Sequence, residues 1–298
     1  MTIRVGINPL TWTNDDLPSL GADTPLKQCL REGRKAGFAG FELGNKFPRQ
    51  SEKLNKVLAD HDLALVSGWF SGQLLARSVE EELIAIEDHL QLLKKGGSTV
   101  MVYCEVTGAI HGEQGISLMQ RPTMTAEQWP EFGERLTQVA DYCLSQGVRL
   151  AYHHHMGTVV ESSDDVDLLM AHTGESLGLL LDTGHITYAG GDAMSIIAKH
   201  GDRIAHVHTK DVRLSVLNDA KNRNLSFLDS VLNGVFTVPG DGDIDYQEIF
   251  IALRELNYQG WLVIEAEQDP AIAHPLTYAT LGFNNIQRFA QQAGLKLA

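Results

Sequence analysis

Short apolar runs alternate with longer amphipathic segments along the whole chain. The runs are four to six residues long and apolar on both faces, which is typical of parallel strands buried on both sides. The eight runs span residues 4–7, 40–43, 64–67, 99–103, 149–153, 177–181, 204–208 and 261–266. The pattern therefore predicts eight strands, each followed by a helix.

Residues that begin and end helices stand between these strands. Ser78 with Glu81, and Asp245 with Glu248, have the spacing of capping boxes or near-variants. A glycine at position 96 and Gly147 each precede a predicted strand, where a left-handed residue commonly ends a helix. These signals support helices in the intervening segments.

Eight strand-then-helix units predict a (β/α)₈ barrel of the TIM type, because parallel neighbours need a helical crossover. A doubly wound open sheet is the alternative. It would normally carry a Gly-x-Gly-x-x-Gly turn after its first strand, where this chain reads Asn-Pro-Leu-Thr at positions 8–11. No linker or change of composition divides the chain, so we expect residues 1–298 to form a single α/β domain.

Two connections in this pattern are unusually long. They span residues 105–124 after the fourth strand and residues 212–243 after the seventh. Both lie on the carboxyl side of the predicted barrel, where such enzymes build their substrate covers. We therefore expect them to cover the functional site.

Composition narrows the class of protein. The 298 residues carry 24 Lys and Arg against 38 Asp and Glu, a formal net charge of −14, which disfavours a nucleic-acid partner. No run approaches the ~18–20 apolar residues of a membrane span, and the first residues lack a signal-peptide pattern. The cysteines at positions 29, 104 and 143 are widely spaced, as is typical of reduced thiols. We therefore expect a cytoplasmic protein.

Histidines cluster at the carboxyl ends of the predicted strands. Six of the 12 fall within residues 153–208, where even scatter would place roughly two. They are His153, His154, His155, His185, His206 and His208. Asp182 ends the sixth strand, and Glu265 and Glu267 end the eighth. Imidazole and carboxylate groups on one rim favour an ion such as Mn, Co, Fe or Zn over Mg or Ca.

Several of these residues have a structural alternative. Asp182 precedes Thr-Gly-His and could cap the next helix instead of binding metal. Glu267 could be a solvated rim residue, and Lys210 could be a surface cation or could transfer a proton. We expect only one of His206 and His208 to face the barrel lumen, and the other to pack beneath a helix.

Five segments resemble the myo-inosose-2 dehydratases of the xylose isomerase-like barrel superfamily. They read Asn-Pro-Leu-Thr-Trp at 8–12, His-His-His-Met-Gly-Thr at 153–158, Leu-Asp-Thr-Gly-His at 181–185, His-Val-His-Thr-Lys-Asp at 206–211 and Glu-Ala-Glu-Gln-Asp-Pro at 265–270. The likeness extends from residue 3 to about 290. The first, second and last segments are those that point to the dehydratases within the superfamily.

The resemblance implies a metal site and its ligands. The superfamily places Glu, Asp, His and Glu on strands five to eight, and Asp182, His208 and Glu265 match the last three. The first position falls on His153, which departs from the pattern and cannot repeat the paired-carboxylate proton exchange of the epimerases. Further implications are Mn²⁺ or Co²⁺ as the metal, a dependence on glutathione and a place in inositol catabolism.

The reaction implied is loss of water from 2-keto-myo-inositol (scyllo-inosose), a small polyol ketone. His155 is the first candidate for general acid or base, and Glu267, Lys210 and Glu105 compete for the other role. Substrate-binding candidates are Asn8, Glu42, Glu105, His185 and Arg213. A sugar epimerase or isomerase of the same fold is the nearest alternative, and a non-catalytic sugar-binding barrel is a more distant one. Assembly into a homo-oligomer is compatible with the sequence.

Overall fold

Eight parallel strands close into a barrel in the computed structural model, which describes residues 3–298. The barrel order is β1-β10-β7-β6-β5-β4-β3-β2. The barrel strands are β1 (Arg4–Ile7), β2 (Gly40–Leu43), β3 (Ala64–Gly72), β4 (Val100–Glu105), β5 (Arg149–His153), β6 (Gly178–Asp182), β7 (Ile204–Thr209) and β10 (Trp261–Ile264). The predicted barrel is confirmed, and the open sheet is wrong because β1 pairs with β10. The assignment of residues 1–298 to one domain stays a prediction.

Helices follow the strands around the outside of the barrel. They are α1 (Leu26–Ala36), α2 (Ser51–Ala59), α3 (Val79–Lys95), α4 (Gln128–Ser145), α5 (Ser163–His172), α6 (Thr183–Tyr188), α7 (Ala193–His200), α8 (Leu214–Asn222), α9 (Phe227–Leu232), α10 (Tyr246–Glu255) and α11 (Pro275–Ala293). None of the helices among residues 3–298 is both long enough and apolar enough to cross a bilayer.

The predicted helix ends hold with one correction. Ser78 and Glu81 form a reciprocal capping box at α3, and the Asp245 side chain caps α10. Gly147 takes a left-handed φ of 87° beyond α4. Gly96 does not: it stays right-handed, and Gly97 supplies the left-handed turn with φ 82°. The left-handed turn comes one residue later than predicted because α3 keeps its helical geometry through Gly96.

The alternation of side chains along the strands divides apolar from polar positions. On β6, Leu179 and Leu181 face outward into the core beneath the helices, whereas Leu180 belongs to a small apolar cluster inside the barrel. Residues two apart on a strand share a face, so Asp182 follows Leu180 into the lumen. Val102 and Ala151 complete that cluster, which forms an apolar floor beneath the polar rim.

The long connection at residues 212–243 has secondary structure of its own. It begins and ends in a two-stranded antiparallel ribbon, β8 (Asp211–Val212) with β9 (Phe236–Thr237), and holds α8 and α9 between them. The buried Asp211 carboxylate accepts hydrogen bonds from the backbone N–H groups of Val212, Gly240, Gly242 and Ile244. A carboxylate held by four amides fixes the base of this segment to the barrel.

We expect the packing of α4 on α5 to tolerate no side chain at Gly133. A Cβ there would overlap the carbonyl oxygen of His172, which is backbone and cannot rotate away. Gly133→Ala should lower the free energy of unfolding by about 1–3 kcal/mol, because the clash outweighs the gain in helix propensity. Urea denaturation measures this change. Gly112→Ala is the matched control, since nothing lies within 4 Å of its Cβ, and equal losses in both variants would contradict the prediction.

Candidate active site

Four side chains from four strand ends meet at the carboxyl rim of the barrel. They are His153 at the end of β5, Asp182 at the end of β6, His208 on β7 and Glu265 just after β10. Asp182 Oδ2 lies 3.5 Å from His153 Nε2 and 3.4 Å from His208 Nδ1. His208 Nδ1 in turn lies 3.0 Å from Glu265 Oε2. All four side chains are buried.

This cluster has the donor types and spacing of a metal site. Ligand atoms bound at about 2.0–2.2 Å to one ion lie about 3 Å from one another, close to the separations found here. Asp182 Oδ2 and His208 Nδ1 are buried, and neither makes a hydrogen bond within residues 3–298. Because buried polar atoms are rarely left without a partner, these two atoms fit an ion between them. The four residues therefore fit the divalent metal that the resemblance implies.

The remaining polar atoms of these side chains are held by the protein. His153 Nδ1 donates to the carbonyl oxygen of His154 at 2.7 Å, which leaves Nε2 facing Asp182. Asp182 Oδ1 accepts from the backbone N–H groups of Gly184 and His185, both at 2.8 Å. Asp182 thus caps α6 with one oxygen and points the other at the cluster. The structure is therefore compatible with both interpretations of this residue, as a helix cap and as a candidate metal ligand. Such outer contacts fix ring orientation and tautomer.

Glu42 fixes the orientation of the His208 ring in the same way. Its Oε1 accepts from His208 Nε2 at 3.1 Å and from His206 Nε2 at 2.9 Å, as well as from the Ser67 hydroxyl. Asn8 Nδ2 donates to Glu42 Oε2 at 2.7 Å and to Glu265 Oε2 at 2.9 Å. Burial would raise the pKa of Glu42, but the His208 and His206 rings hold it well below its usual range.

This network bears on two expectations. Asn8 and Glu42 line the cavity and also hold Glu265 and His208, and their substrate-binding role stays a prediction. His206 and His208 both point into the lumen at Glu42, so placing one of them beneath a helix is wrong. Residues two apart on a strand share a face, and this rule was the signal that could have found His206.

Lys210 forms a second buried cluster beside the first. Its Nζ lies 2.6 Å from Glu265 Oε1, 2.6 Å from Glu267 Oε2 and 2.9 Å from His185 Nε2. Both alternatives are wrong here: Lys210 is not a surface cation and Glu267 is not a solvated rim residue, since both side chains are buried. Burial raises the pKa of Glu267 to about 7, although Lys210 opposes the shift. Burial would lower the pKa of Lys210, but Glu265 and Glu267 raise it.

His155 stands next to this second cluster with one ring nitrogen free. Its Nδ1 donates to the carbonyl oxygen of Met156 at 2.9 Å, so Nε2 carries the lone pair. The His185 ring lies 4.0 Å away, and Trp69 meets His155 edge-on at 5.6 Å. Burial and the neighbouring His111 and His153 lower the pKa of His155 well below its usual range. The imidazole is therefore neutral, and Nε2 presents its lone pair.

A cavity of about 270 Å³ opens beside these clusters. Of the predicted site residues it is lined by Asn8, Glu42, His155, His208, Glu265 and Glu267. The lining also includes residues that the sequence analysis did not select: Asp15, Asp16, Asn45, Arg49, Trp69 and Ser71. Trp69 meets the rings of His153 and His155 edge-on, with centroids 5.4 Å and 5.6 Å away.

Glu105 and Arg213 are not placed as predicted. Neither lines the cavity. The Glu105 carboxylate accepts from the backbone N–H groups of Leu74, Leu75 and Thr107. Arg213 donates to the carbonyl oxygen of Gly234 at 2.7 Å and to Asp241 at 2.7 Å, which ties the base of the 212–243 segment. Both residues hold loops in this structure, and the substrate-binding role of both and the proton-transfer role of Glu105 stay predictions.

The two long connections do cover the site. Phe227 and Phe236 of the 212–243 segment pack on His155 and His185, with ring centroids 5.0 Å and 5.5 Å away. The other connection contacts this cover through Gln114, whose side chain donates to Asp229 at 3.2 Å. The expected position of both segments above the rim is confirmed.

Comparison with known proteins agrees with this geometry. The model of the xylose isomerase-like TIM barrel family matches residues 30–287. The chain belongs to that family. The resemblance to inosose dehydratases is also confirmed: that of Geobacillus thermodenitrificans (strain NG80-2) is 42% identical over 279 residues, 93% of this chain and 94% of that protein.

A second relative is named for a different catabolic route. The rhizopine catabolism protein MocC of Rhizobium meliloti is 50% identical over 298 residues, which is all of this chain and 92% of that protein. Among solved structures, that of the IolI protein with a bound zinc atom superposes with a TM-score of 0.67 at 17% identity. It covers 98% of each chain and shows a shared fold.

We expect Glu42→Gln to weaken divalent metal binding by roughly 10–100-fold while the barrel stays folded. The substitution replaces the carboxylate acceptor of His208 Nε2 with a neutral amide, so the tautomer that leaves Nδ1 free is held less strongly. Titration calorimetry with Mn²⁺ measures the affinity, and circular dichroism checks the fold. Glu105→Gln is the control, because it alters a buried carboxylate that does not touch the cluster. Unchanged Mn²⁺ affinity in Glu42→Gln would show that Glu42 has no part in holding His208.

Proposed function

We propose that this protein is a divalent-metal-dependent dehydratase of inositol catabolism, a hydro-lyase that converts 2-keto-myo-inositol to a trihydroxycyclohexane-1,2-dione. The observation that carries the proposal is the adjacency of two buried clusters on one cavity. One cluster, His153, Asp182, His208 and Glu265, fits a metal ion. The other, His155, His185, Lys210 and Glu267, can hold and move protons. Inosose dehydratases 42–43% identical over more than nine-tenths of the chain support this reaction.

The reaction needs a base for the proton next to the ketone and an acid for the departing β-hydroxyl group. When bound, a divalent ion supplies Lewis-acid polarisation of the ketone oxygen. His155 is the base in this proposal, because its Nε2 is free, neutral and on the cavity wall. Glu267 is the acid, since a carboxyl with a pKa of about 7 can be protonated near neutrality. Lys210 orients Glu267 through the 2.6 Å contact, and His185 in turn lies 2.9 Å from the Lys210 ammonium group.

Several finer assignments belong to the same proposal. Mn²⁺ or Co²⁺ is the metal, because imidazole and carboxylate ligands suit such ions. The zinc in the IolI structure supports a divalent ion in this fold. A glutathione requirement rests on the family resemblance alone. The cytoplasmic location is supported by the three cysteines, which are all free and buried. Assembly into a homo-oligomer is also part of the proposal, because it is compatible with the sequence.

The likeness to MocC favours a second candidate role. At 50% identity the rhizopine catabolism protein is more similar to this chain than the inosose dehydratases cited above are. The same dehydration would then serve the breakdown of rhizopine. Growth of a deletion strain on myo-inositol and on rhizopine distinguishes the two roles, because only the route that needs this enzyme fails.

We expect metal removal to abolish turnover. Protein stripped with a chelator should not convert scyllo-inosose, and Mn²⁺ or Co²⁺ should restore formation of the dione, followed by ultraviolet absorbance and NMR. Asp182→Ala and Glu265→Ala should lose metal yet stay folded, because barrel stability resides mostly in the core and the opposite face. Full activity in metal-free protein would refute the proposal. Isomerised sugar without loss of water would select the epimerase instead.

Substitutions in the triple histidine should separate metal binding from proton transfer. His153→Ala should weaken metal affinity by roughly 10–100-fold, by analogy with losses from altered metal surroundings. His155→Ala should keep the metal and lose turnover by ~10²–10⁴-fold, since it removes the proposed base. His154→Ala should mainly affect stability, because its side chain is fully buried. Metal content and turnover are measured side by side. Loss of metal in His155→Ala with retention in His153→Ala would mean that the roles are exchanged.

A further inference from the structure

The proposed base stands at the start of a tightly closed turn between β5 and α5. This turn spans residues 155–161. The His155 backbone N–H donates to the carbonyl oxygen of Val160 at 3.0 Å, and the Thr158 hydroxyl lies 2.9 Å and 3.1 Å from the carbonyl oxygens of these two residues. His155 is the member of the turn that lines the cavity. The backbone of the turn therefore decides where the His155 ring stands.

The orientation of the His155 ring depends on the same backbone. Its Nδ1 donates to the carbonyl oxygen of Met156, the next residue of the turn, at 2.9 Å. A shift of that carbonyl group would therefore rotate the ring that the proposed reaction uses as its base. The effect on rate would be large, because misplacing a reacting group by about 1 Å can cost on the order of 10²-fold.

Arg121, from the 105–124 connection, binds this turn through its guanidinium group. Its Nη1 donates to the carbonyl oxygens of Thr158 at 3.2 Å and Val159 at 3.4 Å. Its Nη2 donates to Asp165 Oδ2 at 2.8 Å. One planar group thus joins two backbone carbonyls of the turn to a carboxylate of α5, and such charge-assisted contacts are the strong ones.

Two carboxylates carry these contacts further into the backbone. Asp165 Oδ2 also accepts from the backbone N–H groups of Glu161 at 3.2 Å and Ser162 at 2.9 Å, at the start of α5. Glu161 Oε2 accepts from the backbone N–H of Gly157 at 2.6 Å, and its Oε1 lies 3.5 Å from Arg121 Nε. Both ends of the turn are therefore connected to one guanidinium group.

The 105–124 connection also packs directly on the turn. The Ile110 backbone N–H donates to the carbonyl oxygen of Gly157 at 2.9 Å. Gly157 has a left-handed φ of 75°, and a Cβ there would lie 2.9 Å from the backbone nitrogen of His111. The His111 ring in turn lies 5.1 Å from the His155 ring. The connection and the turn are thus in close contact at the point where the proposed base is held.

Resting on the function proposed above, we propose that Arg121 is a positioning residue for the reaction, which holds His155 in the orientation that accepts the proton. Among the described residues, Arg121 is neither part of the cavity lining nor part of the metal cluster, so it acts through the turn. Lysine cannot replace it fully, because a single ammonium group lacks the planar set of donors that reaches two carbonyls and a carboxylate.

The test measures steady-state dione formation by metal-loaded variants. In Arg121→Ala, kcat should fall by about 10–100-fold, because the base is displaced. KM should stay within about threefold, because the rest of the cavity lining is unchanged. Mn²⁺ affinity should equal that of the wild type. Arg121→Lys keeps the charge beside Asp165 and should fold, with a smaller fall in kcat of about tenfold. It carries the test alone where Arg121→Ala does not fold.

Arg203→Ala is the matched control for a purely structural role. Arg203 is also partly buried, and its guanidinium group donates to the carbonyl oxygens of Leu177 at 2.9 Å and Gly174 at 2.6 Å. It precedes β7 and therefore lies at the amino end of the strands, away from the carboxyl rim. This variant should lose stability in urea denaturation and keep the wild-type kcat.

Rescue by a small cation adds a readout that stability alone does not move. Arg121 also lines a separate cavity of about 430 Å³, together with Met156 and Glu161. This cavity gives free guanidinium ion a route to the space that Arg121→Ala leaves. Guanidinium chloride at millimolar concentration should restore part of kcat in Arg121→Ala and leave the wild type unchanged. Potassium chloride at the same ionic strength should restore nothing.

The outcomes separate this inference from the proposed function. No dione from wild-type enzyme would refute the function, and the role of Arg121 with it. Wild-type kcat in Arg121→Ala or in Arg121→Lys would overturn the role of Arg121 and leave the dehydratase intact. An equal fall of kcat in Arg203→Ala would also overturn it, since general loss of stability would explain both. Weakened Mn²⁺ binding in Arg121→Ala would mean that the effect runs through the metal site instead.

Discussion

Excess negative charge buried at one rim is the constraint on which the rest of the structure depends. Glu42, Asp182, Glu265 and Glu267 lie within two contiguous clusters, and Lys210 is the ammonium group among them. Burial would lower the pKa of His208, but Glu265 and Glu42 raise it, which reflects the same excess of carboxylates around the ring. Buried carboxylates are costly unless they are paired, so a divalent cation is the natural complement to this inventory. The barrel brings the four carboxylates together, and the chemistry of the site follows from how their negative charge is balanced.

The closure of the barrel contributes contacts to the site. Asn8 follows the first strand and Glu265 follows the last, and the pairing of β1 with β10 brings them within hydrogen-bonding distance. Through Glu42 the same network reaches His206 and His208 on β7. Asn8, near the start of the chain, and Glu265, near its end, thus belong to the network that holds His208. The four ligand candidates lie on consecutive strands, and barrel closure adds the Asn8 and Glu42 contacts that hold Glu265 and His208.

Much of this arrangement could be predicted from the sequence, because strand periodicity places side chains on faces. The apolar runs give the barrel, and Leu180 followed two residues later by Asp182 gives a carboxylate in the lumen. What could not be predicted depends on backbone groups and loop shape. Glu105 and Arg213 look like free polar residues in the sequence, but their partners are backbone amides and carbonyls brought close by folding. Asp15 lies in a loop without periodicity, so no pattern marks it as part of the cavity.

Asp211 accepts hydrogen bonds from four backbone amides, and this has a consequence for how the covering segment can vary in sequence and length. Asp211 ties both ends of the 212–243 segment to the barrel at one point, and the apolar residues between them pack with Met156 and Tyr188 in one cluster. The parts of the segment that do not contact the strand ends can vary in length while its base stays fixed. Phe227 and Phe236 are the parts of it that reach the site. Substrate specificity among related barrels can therefore change by remodelling this covering segment while the strand ends beneath it stay the same.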